Sequence, residues 1–256
     1  MSAGRARAAA GSPGPRPAIA ARPGDRATCP LGVCDGTGWI LGPEDVARPC
    51  ECRERRIARA RSRGVASVIP PRFRGVGLDR PPISEMARRP DLEPVVDEVR
   101  DFCAAIPERL DAGRGLWIMG DVGTGKTTLA MLVSKTALEQ GRSVAIYSVP
   151  RLLARIRRTY DADPGEQSYL EFFRRLTSVD LLHLDDLGAE KSSDWVLEQL
   201  YAIVNERYEG ERSVVVTTNL DPGELEEQIG ARTVSRLVEM CGDPLALFGE
   251  DRRFLS

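Results

Sequence analysis

Eight consecutive residues, Gly120-Asp-Val-Gly-Thr-Gly125-Lys126-Thr127, constrain this chain more than any other feature. They stand between a short apolar run, residues 115–119, and an amphipathic stretch, so the pattern G-x-x-x-x-G-K-[ST] falls at a strand-to-helix turn, where its chemistry needs it. There the backbone N–H groups from Gly120 through Asp121, Val122, Gly123, Thr124 and Gly125 can turn inward around phosphate oxygens. The N-terminus of the following helix, with Lys126, Thr127 and Thr128 in its first turn, adds the positive end of its dipole. Lys126 is expected to neutralise the β and γ phosphates and the Thr127 hydroxyl to ligate Mg²⁺, so the expected ligand is ATP with Mg²⁺.

A second segment fits the first. Val179-Asp-Leu-Leu-His-Leu-Asp185-Asp186 is an apolar strand ending in two carboxylates. Paired acids at a strand end often only cap the next helix, but after a phosphate loop they form the other half of a hydrolytic site: Asp185 holding Mg²⁺ and Asp186 polarising the attacking water. A further apolar run ends in Thr217-Thr218-Asn219, where Asn219 either orients the nucleophilic water or makes an Asx turn. His183, the only histidine, is expected to pack within the sheet, which excludes a Ser-His-Asp hydrolase.

Short apolar runs at 115–119, 143–147, 179–184 and 213–218 alternate with longer amphipathic stretches. Val95, Val99, Phe102, Cys103 and Ile106 form a helical stripe ahead of the first run. The alternation predicts an α/β fold, a parallel sheet flanked by helices. At 256 residues and 42% hydrophobic content the chain can bury one substantial core. No stretch is long and apolar enough for a membrane span, and the N-terminus lacks a signal peptide's apolar segment, so a cytoplasmic location is expected.

The N-terminal part has a different character. Net charge is −2, but 17 Arg face 8 acidic residues before Pro90, against 19 Lys and Arg and 30 acidic residues from there on, about +9 and −11. Such polarity suits a polyanionic partner or a solvated basic tail. Residues 1–28 are Ala, Arg, Pro and Gly with almost no large apolar side chain and are expected to be disordered. Residues 29–56 hold Cys29-x4-Cys34 and Cys50-x-Cys52, with Gly36 and Gly38 available for tight turns. In a reducing compartment four such thiols point to tetrahedral Zn²⁺, with unliganded thiols as the alternative. Zinc would supply the stability that so small a module cannot gain by burial. Residues 57–92 read as a basic helix and a Pro-rich linker, and residues 93–256 as the ATPase domain. Cys103 and Cys241 read as core residues.

After the second strand, Arg151, Arg155 and Arg158 fall at i, i+4 and i+7 on one helical face, with Leu152 and Ile156 on another. This is either a solvated arginine face or a polyanion contact.

Taken together, the phosphate loop, the acidic pair in Leu184-Asp-Asp-Leu-Gly-Ala-Glu190, Thr217-Thr218-Asn219, Trp195 through Tyr208 and Gly230-Ala-Arg232-Thr-Val-Ser-Arg236 resemble the AAA+ P-loop ATPases. The match is to the DnaC/DnaI helicase loaders and the related IstB transposition helpers, and covers about Pro70 to the C-terminus. The resemblance implies that Arg236 is an arginine finger completing a neighbouring subunit's site in an ATP-driven assembly, and that Arg253 is a second sensor contacting phosphate. It puts Phe73, in Ile69-Pro-Pro-Arg72-Phe73, beside the nucleotide. Ala231, where the family often carries Glu, weakens any role for Arg232. It further implies that the helix bearing Arg151, Arg155 and Arg158 engages single-stranded DNA.

The expected function is therefore that of an ATPase loading a replicative helicase onto DNA, with an IstB-like helper of a transposase as the alternative. A metal-bearing adaptor with a merely structural ATP site is a third reading, disfavoured by the intact Lys126, Asp185, Asp186 and Arg236.

Overall fold

A computed structural model describes residues 29, 32–34, 37–41, 46–53, 68–160 and 168–251. The expected disordered tail, Gly36, the basic run after Arg53, and Arg253 lie outside these residues. The chain divides into two compact units, Met1–Ile57 and Ala58–Ser256.

In the first unit a short antiparallel ribbon pairs β1 (Trp39–Leu41) with β2 (Ala47–Pro49). The Cys50 N–H donates to the Gly38 carbonyl at 2.9 Å, and the Arg53 guanidinium lies 4.2 Å over the Trp39 ring. This ribbon brings the two cysteine pairs together.

The second unit is a five-stranded, all-parallel sheet with strand order β4-β5-β6-β3-β7. Its strands are β3 (Leu116–Gly120), β4 (Val144–Ser148), β5 (Leu181–Asp185), β6 (Ser213–Thr218) and β7 (Leu245–Leu247). The first four agree with the expected runs to within two residues. The fifth was not anticipated: three residues are too few for a period to register.

Side chains alternate between two core layers, as the strand period of two requires. Leu116, Ile118, Val144, Leu181 and Val215 face one layer, together with α1 (Ile83–Met86), α2 (Glu93–Ala104), α3 (Ile106–Asp111) and α4 (Lys126–Glu139). Trp117, Ala145, Leu182, Leu184, Val214 and Val216 face the other, against α5 (Val149–Tyr160), α6 (Tyr169–Ser178), α7 (Asp194–Glu209), α8 (Pro222–Ile229) and α9 (Ala231–Cys241). Burial on both faces explains why these strands read as continuous apolar runs. The helical stripe at Val95–Ile106 is broken at Ala105, with Ile106 opening α3.

Local signals fix the helix ends. The Ser193 hydroxyl accepts from the Val196 N–H at the start of α7, and Asp221 with Glu224 forms a capping box on α8. Arg207, fully buried in α7, donates to the carbonyls of Leu176, Val179, Asp180 and Ser213, joining the end of α6 to the starts of β5 and β6. Burial pulls its pKa down to about 9. Among the described residues no helix is long and apolar enough to cross a membrane.

Candidate functional site

The phosphate loop runs from the end of β3 into α4. Glycine is required at its first position: Gly120 has φ +135°, and a Cβ there would stand 1.9 Å from the Leu247 carbonyl oxygen of β7. Gly125, at φ +108°, precedes the first turn of α4. Lys126 is buried, its Nζ donating to the carbonyls of Gly120 at 2.8 Å and Asp121 at 2.6 Å. The Thr124 hydroxyl donates to the Asp121 carbonyl, bracing the loop, while Val122 is exposed at its tip. Thr127 and Thr128 follow, half-buried, in the first turn.

Strand β5 delivers Asp185 to this turn. The Thr127 hydroxyl donates to Asp185 Oδ1 at 2.9 Å, and the Thr217 hydroxyl, from β6, lies 2.8 Å from the same oxygen. Burial pushes the Asp185 carboxyl up, but nearby His183 and the two threonine hydroxyls outweigh it and hold the group below the usual carboxylate range. His183 Nε2 stands 3.8 Å from Asp185 Oδ1, beyond hydrogen-bond reach, and its Nδ1 is 2.9 Å from Ser134 Oγ on α4. Asp186 follows in the left-handed region, φ +57°, its N–H donating to Thr217 Oγ1 at 3.0 Å. Asn219 is exposed just beyond the end of β6.

The C-terminal segment closes over the loop. The Asp121 N–H donates to the Leu247 carbonyl, and the Gly249 N–H to Asp121 Oδ2 at 2.9 Å. The Asp251 carboxylate fills the space beside Gly123, its Oδ1 only 1.9 Å from where a Cβ on that glycine would sit. A negative charge thus rests on the loop expected to hold phosphates. Neither Asp251 nor Thr217 was singled out from sequence, because only the folded chain brings them to the loop and the acidic strand.

A cleft of about 900 Å³ opens beside Asp185 at the end of β4. Arg151, Arg155 and Arg158 line it, all exposed on α5, whose other face buries Leu152, Leu153 and Ile156. Arg155 also lies 4.7 Å over the Phe172 ring. Phe73 lines this arginine cleft as well. Register explains the proximity, since Ser148, the last residue of β4, pairs with Asp185 immediately before α5 begins.

Arg236, on α9, stacks over the Tyr208 ring at 4.0 Å and donates to Glu239 at 3.2 Å. It stays about one-third exposed.

In the separate N-terminal unit, the sulfurs of Cys29, Cys34, Cys50 and Cys52 lie within 4.8 Å of one another, without a disulfide. The Cys29–Cys50 and Cys34–Cys52 separations are 3.9 and 3.5 Å. Tetrahedral zinc with Zn–S of about 2.3 Å requires sulfur–sulfur edges of roughly 3.8 Å, so the donor set fits that metal. Burial and the neighbouring cysteines push the Cys52 thiol pKa up.

A family profile described as IstB-like ATP binding protein matches residues 109–238. The chain belongs to this IstB-like ATP-binding family. Among curated relatives of this IstB-like chain, a putative insertion sequence ATP-binding protein, y4pL, of Sinorhizobium fredii is 36% identical over 48% of this chain and 49% of that protein. The replicative helicase loader DnaI of Bacillus subtilis is 26% identical over 60% of this chain and 52% of its own. DnaC of Escherichia coli K12, also a replicative helicase loader, is 29% identical over 46% and 47%. The chain therefore spans about half the length of these relatives.

Solved structures share the fold. The DnaC helicase loader superimposes with a TM-score of 0.58 at 24% identity, covering 71% of this chain and all of that one. AMPPCP-bound DnaA from Aquifex aeolicus gives 0.55 at 22% identity, over 70% and 51%. The IstB-like chain thus has the AAA+ P-loop fold expected from its sequence, and its ATP-binding domain contains the Lys126, Thr127 and Asp185 cluster.

Proposed function

We propose that this IstB-like protein is a Mg²⁺-dependent ATPase that acts on single-stranded DNA, as a loader of a replicative helicase. The observation that supports the reading is the cleft that Arg151, Arg155 and Arg158 line together with Asp185, which would set DNA phosphates next to the carboxylate proposed for hydrolysis.

Chemistry at the site follows from its residues. Lys126 releases the loop carbonyls and neutralises the β and γ phosphates of ATP. Thr127 and Asp185, already in contact, are the pair that would hold Mg²⁺, which supplies charge neutralisation on those phosphates. Asp186 polarises the attacking water, with Asn219 orienting it. Arg236, about one-third exposed on α9, serves the site of a neighbouring subunit. A guanidinium supplied in this way raises hydrolysis by about 10³–10⁵ in other NTPases, so isolated subunits turn over slowly. Phe73 and Arg253 are assigned to nucleotide binding. Cys29, Cys34, Cys50 and Cys52 would hold zinc, which would organise the N-terminal unit as a separate surface for gripping the helicase or adding a DNA contact.

A second reading, an ATPase helper of a transposase, is favoured by the IstB family profile and by the 36% identity to an insertion sequence ATP-binding protein. Both readings share the ATP and DNA chemistry and differ in the partner. Co-purification with a hexameric replicative helicase, against co-purification with a transposase, separates them.

Single-strand affinity as a function of salt tests the shared part. Three phosphate contacts contribute about 2 to the slope of log K against log salt. An Arg151→Ala/Arg155→Ala/Arg158→Ala variant should bind more weakly with a slope smaller by about that amount. Unchanged affinity and slope would remove DNA from the cleft.

A further inference from the structure

Thr217 is fully buried at the end of β6 and touches both members of the acidic pair. Its hydroxyl donates to Asp185 Oδ1 at 2.8 Å and accepts from the Asp186 N–H at 3.0 Å. Its own carbonyl accepts from the Leu187 N–H at 2.8 Å, so one residue of β6 is bound to three successive residues of the segment leaving β5. Asp186 holds a left-handed backbone, φ +57°, unusual for a residue other than glycine. The bond to Thr217 satisfies its N–H in that conformation. One hydroxyl therefore fixes the direction of one carboxylate and the backbone of the next.

The neighbouring Thr218 provides a contrast. It is equally buried, but its hydroxyl donates to the Leu187 carbonyl and accepts from the Leu220 N–H, bracing the loops without reaching either carboxylate. Thr127, the other hydroxyl on Asp185 Oδ1, belongs to the phosphate loop and would turn to the metal when nucleotide arrives. Thr217 is then the hydroxyl left to hold Asp185 in place.

We infer that Thr217 is a positioning residue for Mg²⁺–nucleotide binding and hydrolysis, acting through Asp185 and Asp186 rather than touching substrate itself. The inference rests on the proposed Mg²⁺ and ATP site. Groups that orient metal ligands in this way typically contribute 10–100-fold in metal affinity or activity. Valine has nearly the shape of threonine and suits a buried strand, so Thr217→Val removes the hydroxyl with little other change.

The test measures binding of a fluorescent ATP analogue to the full chain as Mg²⁺ is titrated, alongside steady-state hydrolysis. For Thr217→Val, the Mg²⁺ concentration at half-maximal binding should rise by about tenfold or more and kcat should fall by 10–100-fold. Nucleotide affinity in EDTA should stay at the wild-type value. Thr217→Ser, which keeps the hydroxyl, should restore both quantities, and Thr218→Val should lower thermal stability without moving the Mg²⁺ midpoint. A Thr217→Val protein with the wild-type midpoint and kcat overturns the inference, as does a Thr217→Ser protein impaired in its Mg²⁺ midpoint, a result that decides even if the valine variant does not fold. A wild-type chain without Mg²⁺-dependent nucleotide binding overturns the underlying site as well.

Discussion

Thr127 Oγ1 and Asp185 Oδ1 stand 2.9 Å apart although 58 residues separate them in the chain. The contact joins the first turn of α4 to the end of β5 and sets side by side the two oxygens to which the proposed site gives Mg²⁺. It separates the effects of two substitutions. Lys126→Ala should abolish nucleotide binding, measured by calorimetric titration with MgATP. Asp185→Asn should keep nucleotide but lose the Mg²⁺ enhancement and at least about 100-fold in turnover, since a metal at such a site supplies several kcal/mol. Equal loss of binding in both would mean that Asp185 only supports the loop.

Asp251 places a carboxylate against Gly123, where phosphate charge is expected. Two unit charges about 4 Å apart near a protein surface repel by up to about 4 kcal/mol before solvent screening. Asp251→Asn should therefore tighten ATP binding, by about tenfold, or about 1.4 kcal/mol. Adenosine, which carries no phosphate, should bind equally to both proteins. Unchanged ATP affinity would show that the segment swings aside without cost.

Glu190 provides a pH signature. It is buried, and its Oε1 has no hydrogen-bond partner among the described residues, while Oε2 accepts from the Gly188 N–H. Burial raises its pKa above the ordinary value. The folded state therefore binds this proton more tightly than the unfolded state. The stability it adds is fully present below the unfolded pKa and is lost as pH rises through the folded one. Glu190→Gln should melt higher than wild type at neutral pH, with the gap closing below about pH 4. Melting temperatures measured between pH 4 and 8 would expose a constant gap, which contradicts this origin.

The sheet and the phosphate loop were legible because their signals are local. Strands β3 to β6 are continuous apolar runs, and the glycines around Lys126 serve a turn whose geometry is set within eight residues. The α5 arginines were legible as one helical face, but not as the wall of a cleft, which depends on the register of Ser148 with Asp185. Thr217, Asp251 and the Ser134–His183 contact left no trace in spacing, because each pairs residues brought together only by strand order or chain closure. The cysteine spacing identified the four thiols, and the ribbon at Trp39 to Pro49 supplies the convergence that spacing alone cannot.

Arg207 tests the packing rather than the chemistry. Four carbonyls accept from its buried guanidinium. Arg207→Ala leaves them unpaired and opens a cavity, so a loss of about 2–4 kcal/mol is expected, or roughly 5–15 °C in melting temperature. A change within about 1 °C would mean that water replaces the side chain freely.

Zinc can be tested without activity. Purified protein should carry one zinc per chain by elemental analysis. Cys50→Ser/Cys52→Ser should abolish it and make residues 29–53 sensitive to protease, while ATP affinity of the core is retained. Wild-type protein purified without metal and resistant to protease across residues 29–53 would contradict a structural zinc.

The most direct measurement is ATP turnover by the purified chain with and without single-stranded DNA, using Lys126→Ala as the control. The expected result is slow turnover that DNA raises in the wild type, that Arg151→Ala/Arg155→Ala/Arg158→Ala no longer raises, and that Lys126→Ala lacks entirely. A chain that binds MgATP but turns it over at the same rate whether or not DNA is present would contradict the coupling of the arginine cleft to Asp185.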